Sequence, residues 1–135
     1  MNFEQAKEKA VKYLVLTLRT ENEVRNKLKR LNVEEDIIEE VINYLKGINY
    51  INDSNYIEAY IRQCIKIPKY SKYEIKMKLL QKGINKNLLE EKLEKYDMQE
   101  YERKIIEKLK ESKLKDMDQI KQKAYLYRRG FNVSN

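Results

Sequence analysis

Histidine is absent from the 135 residues, cysteine and proline occur once each, and glycine occurs three times. Each shortage excludes something. Without His there is no Ser-His-Asp triad, no His general base and no His metal site. A single Cys closes no internal disulfide and builds no multi-Cys zinc site. One Pro and three Gly argue against a turn-rich β sandwich or barrel. No apolar run approaches the roughly 18 residues of a spanning helix. The opening Met1-Asn-Phe-Glu-Gln5 lacks the basic-then-apolar pattern of a secretory leader. No glycine-rich phosphate loop is present, so ATP binding is not expected. These exclusions point to a cytoplasmic, all-helical protein that is not an enzyme and needs no cofactor.

What is present is charge and helical periodicity. There are 29 Lys+Arg against 22 Asp+Glu, a net +7, with 38% charged and 41% hydrophobic residues. Codon usage biased toward A and T produces such a Lys-, Ile-, Asn- and Tyr-rich mixture without any binding role. The position of the charge is therefore more informative than its sum. Residues 1–53 hold 9 basic and 10 acidic side chains, whereas 54–99 and 100–135 each hold 10 and 6. The basic excess lies in the last two thirds.

The glycines punctuate the chain as Gly47-Ile48, Gly83-Ile84 and Gly130-Phe131. Each follows a helical pattern and precedes an apolar residue, which predicts three left-handed C-caps. Helix starts are marked by the capping boxes Thr20-Glu-Asn-Glu23 and Ser71-Lys-Tyr-Glu74, and more weakly by Asp116-Met-Asp-Gln119. These starts align the chain with itself. Glu23, Val24, Lys27, Leu28 and Val33 match Glu74, Ile75, Lys78, Leu79 and Ile84. In a third copy Ile120 and Lys123 fall in register, with two extra residues before the glycine. Amphipathic helices are predicted before each unit, from Phe3, from Asp53 and from Gln99. Others are predicted after the first two units, on Ile37, Ile38, Val41, Ile42 and Leu45, and on Leu88, Leu89 and Leu93.

The predicted architecture is all-α: three tandem three-helix, helix-turn-helix-like units forming an elongated, curved array. Their bounds are 1–52, 53–98 and 99–135. The third unit lacks its C-terminal helix, although Ser134 could have capped one.

Several ordered features resemble the RecX family of bacterial RecA regulators. They are Ala6 to Thr20 followed by Glu23-Val-Arg-Asn-Lys-Leu28, then Tyr50-Ile-Asn-Asp-Ser-Asn-Tyr56 leading to Ala59-Tyr60-Ile61. Glu74-Ile-Lys-Met-Lys-Leu79 running into Lys82-Gly83-Ile84, and Arg128-Arg129-Gly130-Phe131, complete the set. The resemblance spans residues 6 to 131. It implies a non-enzymatic monomer that binds RecA and RecA–DNA filaments. Such a protein would suppress RecA's ATP hydrolysis, strand exchange and co-protease activities, with weak direct contact to single- or double-stranded DNA. The missing last helix is a departure from the family pattern.

Within the middle helices, 100° per residue places Val24, Leu28 and Leu31 inward in unit one, Ile75 and Leu79 in unit two, and Ile120 and Ala124 in unit three. The outward cations Arg25, Lys29, Arg30, Lys69, Lys72, Lys76, Lys121, Arg128 and Arg129 are the candidate contacts to RecA or DNA. These helices hold the place of a recognition helix, so a stand-alone helix-turn-helix DNA-binding protein is the competing reading. Unpatterned Lys suits phosphate or acidic-protein contact better than base reading. Tyr73, Met77 and Leu80, with Tyr125 and Leu126, form apolar faces expected to pack between units. Tyr13, Tyr44, Tyr56, Tyr60, Tyr96 and Tyr101 are expected in the core, while Tyr70 and Tyr73 beside Lys69 and Lys72 are the candidates for base stacking. Cys64 is expected to be a buried hydrophobe without a base partner. Glu34-Glu35-Asp36 and Glu90-Glu91 are expected to serve helix first turns rather than metal or acid–base chemistry.

Overall fold

Polar side chains at Asn2, Thr20, Asn52, Ser71, Asn85, Asp97 and Asp118 accept from backbone N–H groups three residues on, and each starts a helix. Such caps satisfy donors that the first helical turn leaves unpaired. In the computed structural model, which describes residues 1–133, the result is eight helices: α1 Phe3–Leu16, α2 Glu21–Arg30, α3 Glu35–Gly47, α4 Asp53–Lys66, α5 Lys72–Gln81, α6 Lys86–Leu93, α7 Met98–Glu111 and α8 Gln119–Arg128. No strand occurs among these residues. The cap expected at Ser134 lies outside the described residues. No described helix is long and apolar enough to cross a membrane.

α1, α2 and α3 enclose one core, in which Val24, Leu28, Ile38, Val41 and Leu45 have no solvent exposure. Ala6 and Ala10 are equally buried and let α1 approach closely. A second core begins with Ile57 and Ile61 of α4, Ile75 and Leu79 of α5 and Leu89 of α6. It continues without a break through Tyr101 and Ile105 of α7, Leu114, Leu126 of α8 and Phe131. Unit one is thus apolar within itself, while everything after Asp53 shares one interior.

The middle helices α2, α5 and α8 are each ten residues long. Their caps set the correspondence. Thr20, Ser71 and Asp118 start them, and Leu31, Lys82 and Arg129 cap their C-termini. This corrects the third unit. Its helix starts at Asp118, not Asp116, so the two apparent extra residues vanish. Ile120 then matches Asn22 and Tyr73 and is 82% exposed, and Ala124 is exposed as well. The inward position held by Val24 and Ile75 is taken by Gln122, which donates to the carbonyls of Leu114 and Met117. Leu126 alone is buried on α8.

The glycine caps need a second correction. Gly83 (φ 83°) and Gly130 (φ 82°) are left-handed, but Gly47 is the last residue of α3 and Asn49 takes φ 65° after it. Asn32 adopts φ 60° at the place of Gly83 and Gly130 in unit one. Asn tolerates this region because its short polar side chain adds little steric cost there. Among the tyrosines, Tyr101 is buried and Tyr13, Tyr56, Tyr60 and Tyr96 are half-buried. Tyr44 instead lies 44% exposed against the edge of Phe3.

Candidate protein and nucleic-acid interface

The candidate cations lie along a column of middle helices joined where one unit meets the next, with Lys69, Lys72, Arg128 and Arg129 at the second joint. Thr20 Oγ1 accepts from Glu23 N–H within its own capping box and donates to the carbonyl of Lys82, 3.0 Å away. Ser71 Oγ does the same at the next junction, accepting from Glu74 and donating to the carbonyl of Arg129 at 2.6 Å. Both hydroxyl residues are fully buried. A hydroxyl is required because it accepts and donates at once. The N-terminus of α2 therefore abuts the C-terminus of α5, and that of α5 abuts α8. Positive and negative dipole ends face each other along the column.

The same stations recur around each hydroxyl. The first N–H of α2, on Glu21, donates to the Asp53 carboxylate at 2.8 Å, and that of α5, on Lys72, donates to Glu102 at 2.9 Å. The capping-box Glu23 pairs with Lys82 at 3.6 Å, and Glu74 pairs with Arg129 at 2.8 Å. Gly83 and Gly130 sit under the incoming helix. A Cβ on Gly83 would fall 2.5 Å from Asn22, and one on Gly130 2.7 Å from Tyr73.

This geometry divides the nine candidate cations. Arg129 is structural: its guanidinium engages Glu74, the Lys69 carbonyl and the Tyr125 hydroxyl. The Glu74 carboxylate is the main cause of its raised pKa. Arg25 bridges Glu21 and Glu39, and Lys76 reaches Glu90 at 3.4 Å, so each ties a middle helix to a neighbour in its own unit. Lys29, Arg30, Lys69, Lys72, Lys121 and Arg128 are exposed. They span all three middle helices.

A second cation pattern extends beyond the Tyr70–Lys69 pair expected from the sequence. The Tyr13 ring lies against Arg19 at 4.1 Å and Lys27 at 5.5 Å. Tyr70 lies between Lys69 at 5.2 Å and Lys78 at 4.6 Å, and Tyr125 against Lys113 at 4.9 Å and Arg129 at 5.9 Å. Each unit has one tyrosine flanked by two cations, an arrangement worth about 0.5–1 kcal/mol per contact at exposed sites. Burial would raise the Tyr125 phenol, but Arg129 and Lys113 outweigh it and lower its pKa. The register of Lys27 with Lys78 and the adjacency of Lys69 to Tyr70 were the available signals; the approach of Lys27 to Tyr13 on α1 and of Lys113 to Tyr125 on α8 comes from packing. Tyr70 is half-buried in its pair of cations, whereas Tyr73 is 55% exposed. Of the apolar faces, Leu80, Tyr125 and Leu126 pack into the second core, while Tyr73 and Met77 keep substantial exposure. Cys64 is buried, and burial raises its thiol pKa.

Comparison with known proteins gives two family matches: the first three-helix domain of RecX over residues 6–45 and the second over residues 52–93. The crystal structure of RecX from Lactobacillus salivarius superposes with a TM-score of 0.83 at 36% identity, over 97% of this chain and 89% of that one. A second crystal structure of regulatory protein RecX, 24% identical, gives the same TM-score over 97% of this chain and 69% of that one, and shares the fold. Among curated relatives, regulatory protein RecX of Clostridium acetobutylicum is 35% identical over 98% of this chain and 66% of its own length. That of Streptococcus agalactiae is 38% identical over 72% of this chain and 38% of its own. The chain thus spans two thirds of the length of these relatives or less.

Proposed function

The chain belongs to the RecX family, and from that premise we propose that it binds RecA and RecA–DNA filaments and inhibits RecA's recombinase, ATPase and co-protease activities. It acts by occupancy, as a cytoplasmic monomer without chemistry of its own. The units are 1–52, 53–98 and 99–135, arranged in a curved array. The observation that carries this reading is the end-to-end column of α2, α5 and α8. It holds Lys29, Arg30, Lys69, Lys72, Lys121 and Arg128 exposed on a shared scaffold. Exposed, unpatterned cations suit an acidic partner, whether phosphate backbone or protein groove. They supply no bidentate base-reading pattern, which disfavours the stand-alone DNA-binding alternative.

Added at one copy per RecA protomer, the protein is expected to lower DNA-dependent ATP turnover by RecA of the same organism. Unchanged turnover rejects the reading. Gel shifts on duplex and single-stranded DNA at two salt concentrations separate the alternative, which requires tight, sequence-dependent duplex binding without RecA. Lys72→Glu with Arg128→Glu should relieve inhibition while helicity stays intact. Arg129 is left unchanged in that variant, because a reversed charge would face Glu74 and open the junction.

A further inference from the structure

The two junctions share their polar stations but differ in what lies beneath them. At the second, the apolar core runs straight across: Ile75, Leu79 and Leu89 are continuous with Met98, Tyr101, Leu126 and Phe131. The connecting segment is anchored there by half-buried Tyr96 and buried Met98, both packed into that core. Tyr101 spans the boundary by donating its hydroxyl to the Tyr70 carbonyl at 2.6 Å. Arg129 holds Glu74 through two nitrogens, at 2.8 and 3.3 Å.

At the first junction no apolar cluster crosses among the described residues. The core of unit one closes on Ile51, and the next core begins at Ile57. What joins the units is polar: the Thr20 hydroxyl on the Lys82 carbonyl, the Glu21 N–H on Asp53 and a long Lys82–Glu23 pair at 3.6 Å, flanked within unit one by the Lys46–Glu21 pair at 3.0 Å. Beside these contacts lies an open cleft of about 420 Å³, lined by Glu21, Lys46, Asn49, Ile51, Asp53 and Leu88. Half-exposed ion pairs are screened by salt and reform at little cost, whereas separating a shared apolar core exposes it to water.

We propose that the molecule is articulated at its first junction, pivoting at Asn52 between the anchored Ile51 and the start of α4, while units two and three move as one body. The device lets unit one change its angle to the basic two thirds of the chain without unfolding either core. It follows from the distribution of apolar contact and is independent of what the array docks on.

Two backbone amides report on it directly. Glu21 N–H and Lys72 N–H are the first donors of their helices and have no intrahelical acceptor; each is held by a carboxylate of the next unit. In the full chain, amide exchange corrected for intrinsic rates should be at least roughly tenfold faster at Glu21 than at Lys72. Raising salt from about 0.1 to about 1 M should widen that ratio. Glu23 N–H, held by Thr20 inside the same helix, should stay protected. Lys82→Gln should speed exchange at Glu21 and leave Lys72 unchanged. Rates at Glu21 and Lys72 within about twofold of each other, or faster exchange at Lys72, overturn the proposal. So does Glu23 accelerating together with Glu21, which identifies fraying of α2 as the cause instead.

Discussion

Helices α2 and α8 have the same length and end on the same left-handed turn, yet they carry complementary halves of one junction. α2 has the hydroxyl and the glutamate at its N-terminus, Thr20 and Glu23, but Leu31 and Asn32 at its C-terminus. α8 has the cation and the glycine at its C-terminus, Arg129 and Gly130, but Asp118 and Lys121 at its N-terminus. Helix α5, between them, has both halves: Ser71 with Glu74, and Lys82 with Gly83. Where a unit meets a neighbour, a hydroxyl–glutamate end receives a cation–glycine end. At the two ends that meet no unit among the described residues, all four stations are replaced. Asp118 still caps its helix by accepting, but a carboxylate has no proton to give a neighbouring carbonyl. The glycines are thus explained by contact as well as by φ, since Asn32, uncovered, manages the same backbone turn with a side chain.

The largest test of this contrast lies in the cores. Leu28→Ala and Leu79→Ala each empty a fully buried site and should cost about 2–5 kcal/mol in urea unfolding. Ile120→Ala, on the exposed face of α8, should stay within about 0.5 kcal/mol. A cost at Ile120 comparable to that at Leu28 would mean that the register of α8 derived from its caps is wrong.

Next come the left-handed turns. Gly83→Val places a branched side chain at φ 83° and against Asn22, and should destabilise by about 1–3 kcal/mol or more. Asn32→Gly has no such neighbour to satisfy and should shift stability by roughly 0.5 kcal/mol or less. Thermal melts of the two variants compare them directly.

The caps follow. Asp118→Ala should lose about 1 kcal/mol of capping. Ser71→Ala should lose that and roughly 1 kcal/mol more, because the Arg129 carbonyl is left without its buried donor. Equal losses would show that the hydroxyl's second bond contributes nothing.

The smallest effect concerns acid. Burial by itself would raise the Glu74 carboxyl, but the Arg129 guanidinium and Ser71 outweigh it, and the net shift is downward. A carboxyl depressed in the folded state adds stability above its ordinary pKa and loses it as pH falls through the folded value. Stability should therefore decline as Glu74 protonates below the ordinary carboxylate range, and Arg129→Gln should flatten that decline. Asp53 at the first junction is shifted the other way, raised chiefly by burial, so its own contribution has the opposite sign: it gains on acidification. Denaturant midpoints across the acidic range, for the parent and Arg129→Gln, provide the check.

Much of this was legible in one dimension. The capping boxes at Thr20 and Ser71 marked two helix starts to the residue, and the apolar spacing of Val24, Leu28, Ile38, Val41 and Leu45 marked a buried face, because these signals act within one or two turns. The third start was misplaced. Asp116 and Asp118 offer the same acceptor two residues apart, and only the packing of Leu126 and Phe131 selects between them. The cation faces were half legible: helical angle shows that Arg25, Lys76 and Arg129 leave the core, but not that carboxylates wait for them on adjacent helices.

Local chemistry in the chain itself was enough to specify helices, repeats and the all-α class, since caps, periodicity and glycine act between residues a few positions apart. The three-dimensional packing alone decided which cations are spent on internal pairs, why Gly83 and Gly130 cannot bear a side chain, and where apolar contact crosses from one unit to the next. Those outcomes depend on partners about 30 to 60 positions away, whose approach no local pattern encodes.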